Sequence, residues 1–223
     1  MTGFESQRLR MVRLQIERRG ISDEAVLRAM RSVPREAFVE PALVEFAYDD
    51  AALPIDDGQT ISQPFVVATM LQAARIGAGD TVLEVGVGSG YAAALMARIA
   101  SRVYGIERHP GLARQAGERF DALGIRNVEL RVGDGSIGWP EAAPFDAITV
   151  AAAAPQVPPA LQAQLAIGAR LVMPVGDADG QRLISLERHG ADAFEQRTLC
   201  AVRFVPLIGE EGWAADRRDP GRR

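Results

Sequence analysis

The sequence contains no lysine, one cysteine and two histidines; all 25 of its basic residues are arginine. The single cysteine, Cys200, excludes an intramolecular disulfide and a cysteine-based metal cluster. Both histidines, His109 and His189, lie in predicted turns, which leaves no arrangement for a histidine metal site or a Ser-His pair. Without lysine the chain also has no P-loop lysine, Schiff-base lysine or lysine general base.

Long apolar runs and an excess of positive charge are also missing. No segment approaches the roughly 18 apolar residues of a membrane span, and the N-terminus reads as a basic amphipathic helix without the apolar core of a signal peptide. The net charge of −4 argues against a dedicated nucleic-acid surface. We therefore expect a cytoplasmic protein that binds neither membrane nor nucleic acid, and a monomer by default.

The chain does have the length and patterning of one α/β domain. It has 223 residues, of which 48% are hydrophobic, and its apolar segments alternate between strand-like and helix-like spacing before a late series of antiparallel strands. We predict an α/β fold with a doubly wound, mostly parallel sheet. The expected organisation is an N-terminal helical cap with a connecting segment (1–58), the α/β domain (59–208) and a flexible tail (209–223).

A glycine-rich turn, VLEVGVGSGY (82–91), joins a buried strand to a helix. Its glycines, Gly86, Gly88 and Gly90, allow positive φ and close approach of a ligand to the main chain. The dinucleotide pattern G-x-G-x-x-G/A needs a small residue where Tyr91 stands, so a nicotinamide or flavin site fits poorly. Glu84, two residues before the first glycine, gives the turn a resemblance to the first motif of Rossmann-like methyltransferases that use S-adenosylmethionine. Another nucleotide binder and a purely structural turn remain alternatives.

Two further acids follow predicted strands. Glu107 lies 17 residues beyond Gly90, close to the offset of roughly 20 residues at which a carboxylate binds ribose hydroxyls; a solvated acid is the alternative. Asp134 lies between Gly133 and Gly135, where it can reach an adenine amino group or simply cap a turn.

The segment QTISQPF (59–65) precedes an apolar helix predicted over 64–74. Taken alone, Ser62 is most simply explained as ordinary helix-start chemistry, because serine and threonine are common just before a first-turn proline. Near the other end of the chain, three alternating segments (183–187, 194–199 and 202–207) predict closing antiparallel strands.

Taken together, these motifs resemble the protein-L-isoaspartate O-methyltransferases. The segments that carry the resemblance are QTISQPF, VLEVGVGSGY with Glu107, VGDG followed by PFDAITVAAAAPQVP, RLVMPVG and RFVPL, and they span roughly residues 8 to 208. The glycine turn is shared by many methyltransferases, whereas the TIS-x-P segment is far more specific.

The resemblance implies a class I methyltransferase with a seven-stranded sheet whose last strand is antiparallel. It implies transfer of a methyl group from S-adenosyl-L-methionine to the α-carboxyl of L-isoaspartyl residues in damaged proteins and peptides. The ester then collapses to a succinimide that partly reopens to normal aspartate, which is protein repair.

The resemblance also assigns roles to residues. Ser62 is the active-site residue, Glu107 binds the ribose, Asp134 and Gly135 lie near the adenine, and 205–207 lie near the substrate peptide. The remaining cofactor-binding residues are Gln59, Thr60, Ile61, Glu84, Gly86, Gly88 and Gly90, and no metal is expected.

The chemistry agrees with these roles. A carboxylate acceptor is already ionised at neutral pH, so no general base is needed, and Ser62 acts as an orienting donor and not as a nucleophile. We expect the N-terminal helices and the 57–64 loop to close over the cofactor and exclude water.

Two departures and two alternatives remain. Val87 stands between the first two loop glycines, where the family often has a smaller or hydroxylic residue, and the chain after Leu207 matches no family pattern. A methyltransferase acting on a small metabolite or RNA could share the glycine turn, and a non-catalytic adaptor could bind S-adenosylmethionine to regulate a partner.

Overall fold

A seven-stranded sheet with helices on both faces forms the centre of the structure, a computed structural model that describes residues 3–214. The helices are α1 (Gly3–Met11), α2 (Glu24–Ser32), α3 (Pro64–Ala74), α4 (Tyr91–Met96), α5 (Pro110–Ala122) and α6 (Pro159–Ala163). The strands are β1 (Leu53–Pro54), β2 (Thr60–Ile61), β3 (Thr81–Val85), β4 (Arg102–Glu107), β5 (Val128–Val132), β6 (Phe145–Val150), β7 (Leu165–Gly176), β8 (Gln181–Arg188) and β9 (Phe194–Val202).

The strand order across the large sheet is β5-β4-β3-β6-β7-β8-β9. The pairs from β5 to β7 are parallel, whereas β7–β8 and β8–β9 are antiparallel. The predicted doubly wound, mostly parallel sheet is therefore confirmed. The strand that runs against the other six is β8 and not the last strand, because two successive hairpins reverse the chain twice.

The third predicted closing strand is wrong. Residues 203–207 form no ladder; Pro206 makes only an isolated bridge to Ala153. Pro206 has no backbone N–H to donate, which does not suit an interior strand. The segment instead runs from β9 towards the carboxyl ends of the central strands.

The central strands are buried on both faces, as their apolar runs predict. Val82 packs in the core that contains α2 to α5 and the N-terminal segments, whereas Leu83 and Val85 pack in the core on the opposite face with Trp139 and Leu161. This alternation follows from the two-residue period of a strand. The two faces are covered unequally. Within residues 3–214, α6 is the one α-helix that packs in the core with Leu83 and Val85, and short turns cover the rest of that face.

The N-terminal cap begins with α1, which continues as a π-helical segment (Val12–Ile16) and a short 3-10 turn (Glu17–Arg19). The sequence predicts one helix over 8–19 here. The Asp23 side chain then caps α2 by accepting hydrogen bonds from the backbone N–H groups of Ala25 and Val26, at 2.9 and 3.1 Å.

The order of the strands creates a crevice beside β3. The chain moves from β3 to β4 and β5 on one side and then returns to β6 on the other side. Ligands of open α/β sheets bind outside the carboxyl ends of the strands at such a reversal.

Residues 208–213 fold back against the sheet. Ile208 bridges to Trp213, and the Trp213 Nε1 group donates to the Ala153 carbonyl at 3.0 Å. Residues 215–223 of the predicted tail lie outside the described residues. Within 3–214, none of the helices has the length and apolar character to cross a membrane.

Candidate active site

A cavity of about 510 Å³ opens at the carboxyl ends of β3, β4 and β6. We call residues 84–89 and 106–109 its glycine-loop wall, and residues 57–62 and 205–208 its serine wall. The predicted site residues among its lining are Gln59, Thr60, Ile61, Ser62, Glu84, Gly86, Gly88, Glu107 and Gly135. Gly90 and Asp134 do not line it.

The glycine loop adopts the backbone that its sequence predicts. Gly86, Gly88 and Gly90 all have positive φ, at 83°, 53° and 93°. Gly90 precedes α4 and lies where a Cβ would come within 3.0 Å of the Phe120 ring. Gly90 is therefore required for the turn and for packing against α5, even though it does not reach the cavity.

Glu107 connects the glycine loop to the start of α5. Its Oε2 accepts from the backbone N–H of Gly88 at 2.7 Å, and its Oε1 accepts from that of His109 at 2.9 Å. The carboxylate is buried and lines the cavity. Because each carboxylate oxygen can accept two hydrogen bonds, Glu107 keeps capacity for a ligand after both backbone bonds are made.

Glu84 is buried in the same wall with an unusual charge environment. Burial, followed by the nearby charge of Glu107, raises the pKa of its carboxyl group well above the ordinary value. Its Oε2 is the one buried carboxylate oxygen in residues 3–214 that has no hydrogen-bond partner. A buried acceptor left in this way indicates a missing donor or positive charge at the cavity wall.

Val87 departs from the family pattern without obstructing the loop. Its side chain is buried and lies over Gly105 of β4, where a Cβ would come within 2.7 Å of Val87 Cγ2. Gly105 thus provides the space that the larger loop residue occupies.

A short hairpin forms the beginning of the serine wall. Leu53 pairs with Ile61 and Pro54 with Thr60, and Ile55 packs above Gly88. Ser62 follows the hairpin. Its hydroxyl has no hydrogen-bond partner within residues 3–214, whereas its carbonyl accepts from Arg35 Nη2 at 2.9 Å. The N-cap of α3 is Gln63, without a side-chain bond, so Ser62 does not cap this helix.

Residues 205–208 form the rest of the serine wall, and hydrogen bonds from distant parts of the chain hold them together with Phe204. The Gln181 side chain accepts from the Phe204 N–H at 2.6 Å and donates to its carbonyl at 3.1 Å. Ala153 donates its N–H to the Val205 carbonyl at 2.8 Å and accepts from the Leu207 N–H at 2.7 Å. These bonds fix the segment against the end of β6.

Asp134 lies beside the cavity, in a smaller depression that it lines with Arg108, Ile208 and Gly209. Its Oδ1 accepts from the N–H and hydroxyl of Ser136, and its Oδ2 accepts from the Glu210 N–H at 2.7 Å. Burial opposes ionisation, but these hydrogen bonds hold the pKa of Asp134 below its ordinary value. The turn-capping alternative is thus realised, together with an anchor for the C-terminal segment.

Several lining residues were not predicted. Four of them lie within two residues of a predicted site residue, and this proximity in sequence could have identified them: Asp57, Ser89, Arg108 and His109. The other two, Ala151 and Ala152, follow the end of β6. Residues 151 and 152 required the β3–β6 pairing to be known.

Within residues 3–214, no group of three or more histidine, cysteine or acidic side chains could hold a metal ion. The donors and acceptors of the cavity include backbone groups, the two buried carboxylates of Glu84 and Glu107, and the Ser62 hydroxyl. This set can hold a polar organic molecule that carries hydroxyl groups and a positive charge.

Comparisons with known proteins agree with one another. The sequence profile described as protein-L-isoaspartate(D-aspartate) O-methyltransferase matches residues 6–212. Protein-L-isoaspartate O-methyltransferase 1 of Rhodopseudomonas palustris is 55% identical over 220 residues, covering 98% of this chain and 90% of that protein. The similarly named protein of Methylorubrum extorquens is 56% identical over 207 residues, covering 93% of this chain and 90% of that one.

Solved structures give the same result. A protein-L-isoaspartate O-methyltransferase superposes with a TM-score of 0.82 at 28% identity, over 93% of this chain and 67% of that chain. A Plasmodium falciparum protein described as a beta-aspartate methyltransferase, in complex with S-adenosyl-L-homocysteine, superposes with a TM-score of 0.78 at 27% identity, over 93% and 99%. The likeness therefore extends over most of the chain.

Proposed function

This chain belongs to the protein-L-isoaspartate(D-aspartate) O-methyltransferase family, and we propose that the glycine-loop wall holds its methyl donor while the serine wall orients its acceptor. The protein is an S-adenosyl-L-methionine-dependent methyltransferase. It esterifies the α-carboxyl group of L-isoaspartyl residues in damaged proteins and peptides. The proposal concerns which residues carry out each part of that reaction.

The glycine-loop wall offers the polar and charged groups that S-adenosyl-L-methionine requires. Glu107 can accept from the ribose hydroxyls while it keeps the Gly88 and His109 bonds that arrange the loop. The unpartnered Oε2 of Glu84 suits a positively charged group of the donor. Gly86 and Gly88 bring the main chain close to the ligand, and Gly135 completes the lining near the end of β5.

The roles of the remaining predicted residues are more restricted. Gln59, Thr60 and Ile61 line the cavity as part of the hairpin. Asp134 keeps one free acceptor position on Oδ2 beside the bond from Glu210. We propose that this position, at the rim next to Arg108, contacts the adenine end of the donor.

When bound, S-adenosyl-L-methionine would supply a methyl group on a positively charged sulfur. An acceptor carboxylate oxygen would bond to the methyl carbon as the carbon–sulfur bond breaks, so that the methyl ester forms and S-adenosyl-L-homocysteine leaves. The acceptor carboxyl group has an ordinary pKa near 4 and is ionised at neutral pH, so no residue has to remove a proton. The Ser62 hydroxyl, which has no other partner within residues 3–214, donates to the acceptor and fixes its direction.

Both walls also limit the access of water. The 53–61 hairpin lies over the glycine loop through Ile55, and the 204–208 segment closes the opposite side. A displacement between an anion and a cation is faster in a site that excludes water, because hydration stabilises the separated charges. Limited proteolysis of the 53–62 segment with and without the donor tests whether the hairpin closes; equal rates would contradict closure.

The observation that carries these assignments is a free hydroxyl and two buried carboxylates on facing walls of one cavity. The test is transfer of labelled methyl from S-adenosyl-L-methionine to an isoaspartyl peptide, beside the same peptide with normal aspartate. We expect base-labile label on the isoaspartyl peptide alone. Donor binding without transfer to either peptide would contradict the acceptor assignment.

The monomeric state, the cytoplasmic location and the division of the chain at residues 58 and 208 stay predictions from the sequence. Sedimentation velocity of the purified protein measures the first. Fractionation of cells that express the tagged full chain measures the second.

A further inference from the structure

Arg35 is a fully buried arginine whose side chain reaches the serine wall from behind. It lies in a 3-10 turn (Arg35–Phe38) of the N-terminal segment. Its Nε donates to the Ala47 carbonyl at 2.8 Å, and its Nη2 donates to the Ser62 carbonyl at 2.9 Å. One guanidinium group thus links Ala47, in the segment between the cap helices and the sheet, to Ser62, whose hydroxyl lines the cavity.

Within residues 3–214, the charged guanidinium group of Arg35 forms no ion pair. Burial lowers the pKa of its guanidinium group to about 10, so it remains charged at neutral pH. The other groups that act on it are Tyr91 and Tyr48, and no carboxylate is among them. Its ζ carbon lies 4.9 Å from the centre of the Tyr91 ring, and Tyr91 lines the cavity.

The contacts of Arg35 offset only part of the cost of burying its charge. Removing a guanidinium group from water is costly, and two carbonyls and an aromatic face compensate only part of that cost. Moreover, its Nη1 is buried and has no hydrogen-bond partner within residues 3–214. Replacing buried ionic groups with apolar side chains of similar volume is often neutral or stabilising. We therefore look for the role of Arg35 in how it positions the residues to which it bonds.

We propose that Arg35 is a positioning residue for methyl transfer, which holds the main chain of Ser62 so that its hydroxyl faces the acceptor. The hydroxyl itself has no partner within residues 3–214, so its direction depends on the backbone that carries it. The bond to the Ser62 carbonyl fixes the peptide that follows this residue, and the bond to Ala47 fixes the guanidinium plane. This inference rests on the role of Ser62 proposed above.

The arrangement requires arginine in particular. Its Nε and Nη2 groups lie in one rigid plane and donate to two separate carbonyls, those of Ala47 and Ser62. Lysine keeps the charge but has a shorter, flexible side chain with one ammonium group. Charge and bridging can therefore be separated by substitution.

The experiment compares Arg35→Lys and Arg35→Met with the wild-type full-length protein. We expect kcat for an isoaspartyl peptide to fall about 10- to 100-fold in both variants, because a small misplacement of a positioning group costs up to that much. Donor affinity should stay within about threefold, because the hydrogen bonds of Glu107 to Gly88 and His109 do not involve Arg35. Where Arg35→Met does not yield folded protein, Arg35→Lys decides the question.

Met30→Ala serves as the matched control, since Met30 is fully buried in α2 of the same cap and bonds to no residue of the serine wall. We expect it to lower the melting temperature while kcat, measured well below that temperature, is unchanged. Wild-type kcat in Arg35→Lys would overturn the bridging role, and wild-type kcat in Arg35→Met would overturn any positioning role.

Ser62→Ala in the same assay separates the two levels of inference. If Ser62→Ala keeps wild-type kcat, the proposed role of Ser62 fails. If Ser62→Ala loses kcat and the Arg35 variants keep it, only the positioning role of Arg35 fails.

Discussion

The glycine-loop wall and the serine wall differ in how far along the chain their fixing hydrogen bonds reach. Glu107 holds the glycine loop through bonds to residues 19 and 2 positions away. The serine wall and the segment that follows it depend on bonds between more distant residues. Arg35 bonds to Ser62 across 27 positions, Trp213 to Ala153 across 60, and Glu210 to Asp134 across 76. The first wall is a product of one strand-turn-helix unit with its neighbour, whereas the second is assembled from the whole chain.

The difference indicates that the two walls can be disturbed independently. A change in the glycine-loop wall should affect donor affinity, because its groups face the donor. A change in the serine wall should affect turnover and peptide KM, because its groups face the acceptor. Three substitutions test this separation, and a fourth tests the buried charge of the glycine-loop wall.

The largest effect is expected for Ser62→Ala. Loss of the orienting hydroxyl should reduce kcat for an isoaspartyl peptide by about 100-fold, with donor affinity retained. Steady-state kinetics and calorimetric donor binding measure the two quantities. Thr69→Ala is the control, because the Thr69 hydroxyl bonds only within its own helix, to the Phe65 carbonyl at 2.8 Å. Weakened donor binding with normal kcat would reverse the assignment of the two walls.

Glu107→Gln should give the opposite phenotype. The amide can accept only one of the two backbone bonds and places its NH₂ group against the other N–H donor. An unsatisfied buried group costs about 1–3 kcal/mol, so we expect donor affinity to fall about 10- to 100-fold while kcat at saturating donor changes less.

The control for Glu107→Gln is Glu129→Gln, on the exposed edge strand β5, where Glu129 pairs with Arg102 at 2.5 Å. That variant should bind the donor normally. Equal donor affinity in Glu107→Gln and the wild type would contradict the role of Glu107.

Gly209→Ala should loosen the serine wall from its C-terminal side. A Cβ at this position would collide with Asp134 Oδ1 and Ser136 Oγ. The same two side chains anchor the next residues, because Asp134 Oδ2 accepts from the Glu210 N–H and Ser136 Oγ accepts from the Glu211 N–H. Overpacking of this kind costs about 1–3 kcal/mol, and we expect peptide KM to rise about 3- to 10-fold with donor affinity within about twofold.

Gly190→Ala is the matched control, because an added Cβ there meets only Ala193 Cβ, at 3.5 Å, in a β8–β9 turn. Normal peptide KM in both variants would show that the C-terminal segment does not support the wall.

The smallest effect is expected for Glu84→Gln, in the pH dependence of stability without donor. The folded pKa of Glu84 lies above the ordinary value of 4.5, so above that pH the folded state holds a proton that the unfolded state releases. Stability contributed at this site therefore falls as pH rises from 4.5 through the folded pKa. Glutamine removes this loss, and the melting temperature of Glu84→Gln relative to the wild type should increase between pH 5 and pH 8.

Thermal melts across that pH range measure the Glu84 effect, with about 2–4 °C expected per kcal/mol for a chain of this length. A constant difference between Glu84→Gln and the wild type would show that the buried carboxyl group has no raised pKa.

Much of the glycine-loop wall could be predicted from the sequence. Its strands are short apolar runs, its turn requires glycine at positive φ, and Glu107 follows the next strand directly. The helix over 64–74 was also predicted correctly, from Pro64 and the apolar run behind it. The third closing strand was predicted over 202–207, but only Val202 belongs to a strand, β9. The alternating apolar residues of 203–207 resemble strand residues, while their hydrogen-bond partners are Ala153 and Gln181.

The sequence by itself determined the fold class, the family and the glycine-loop wall, because their signals are local: strand periodicity, glycine conformation and an acid at a strand end. Only the tertiary structure decided that Arg35 bonds to the Ser62 carbonyl and that Asp134 holds residue 210. These contacts join segments that are distant in the chain through side-chain bonds to backbone groups, and any residue has such groups. No residue pattern predicts these contacts, because they form only when the cores on both faces of the sheet have packed and brought the segments together.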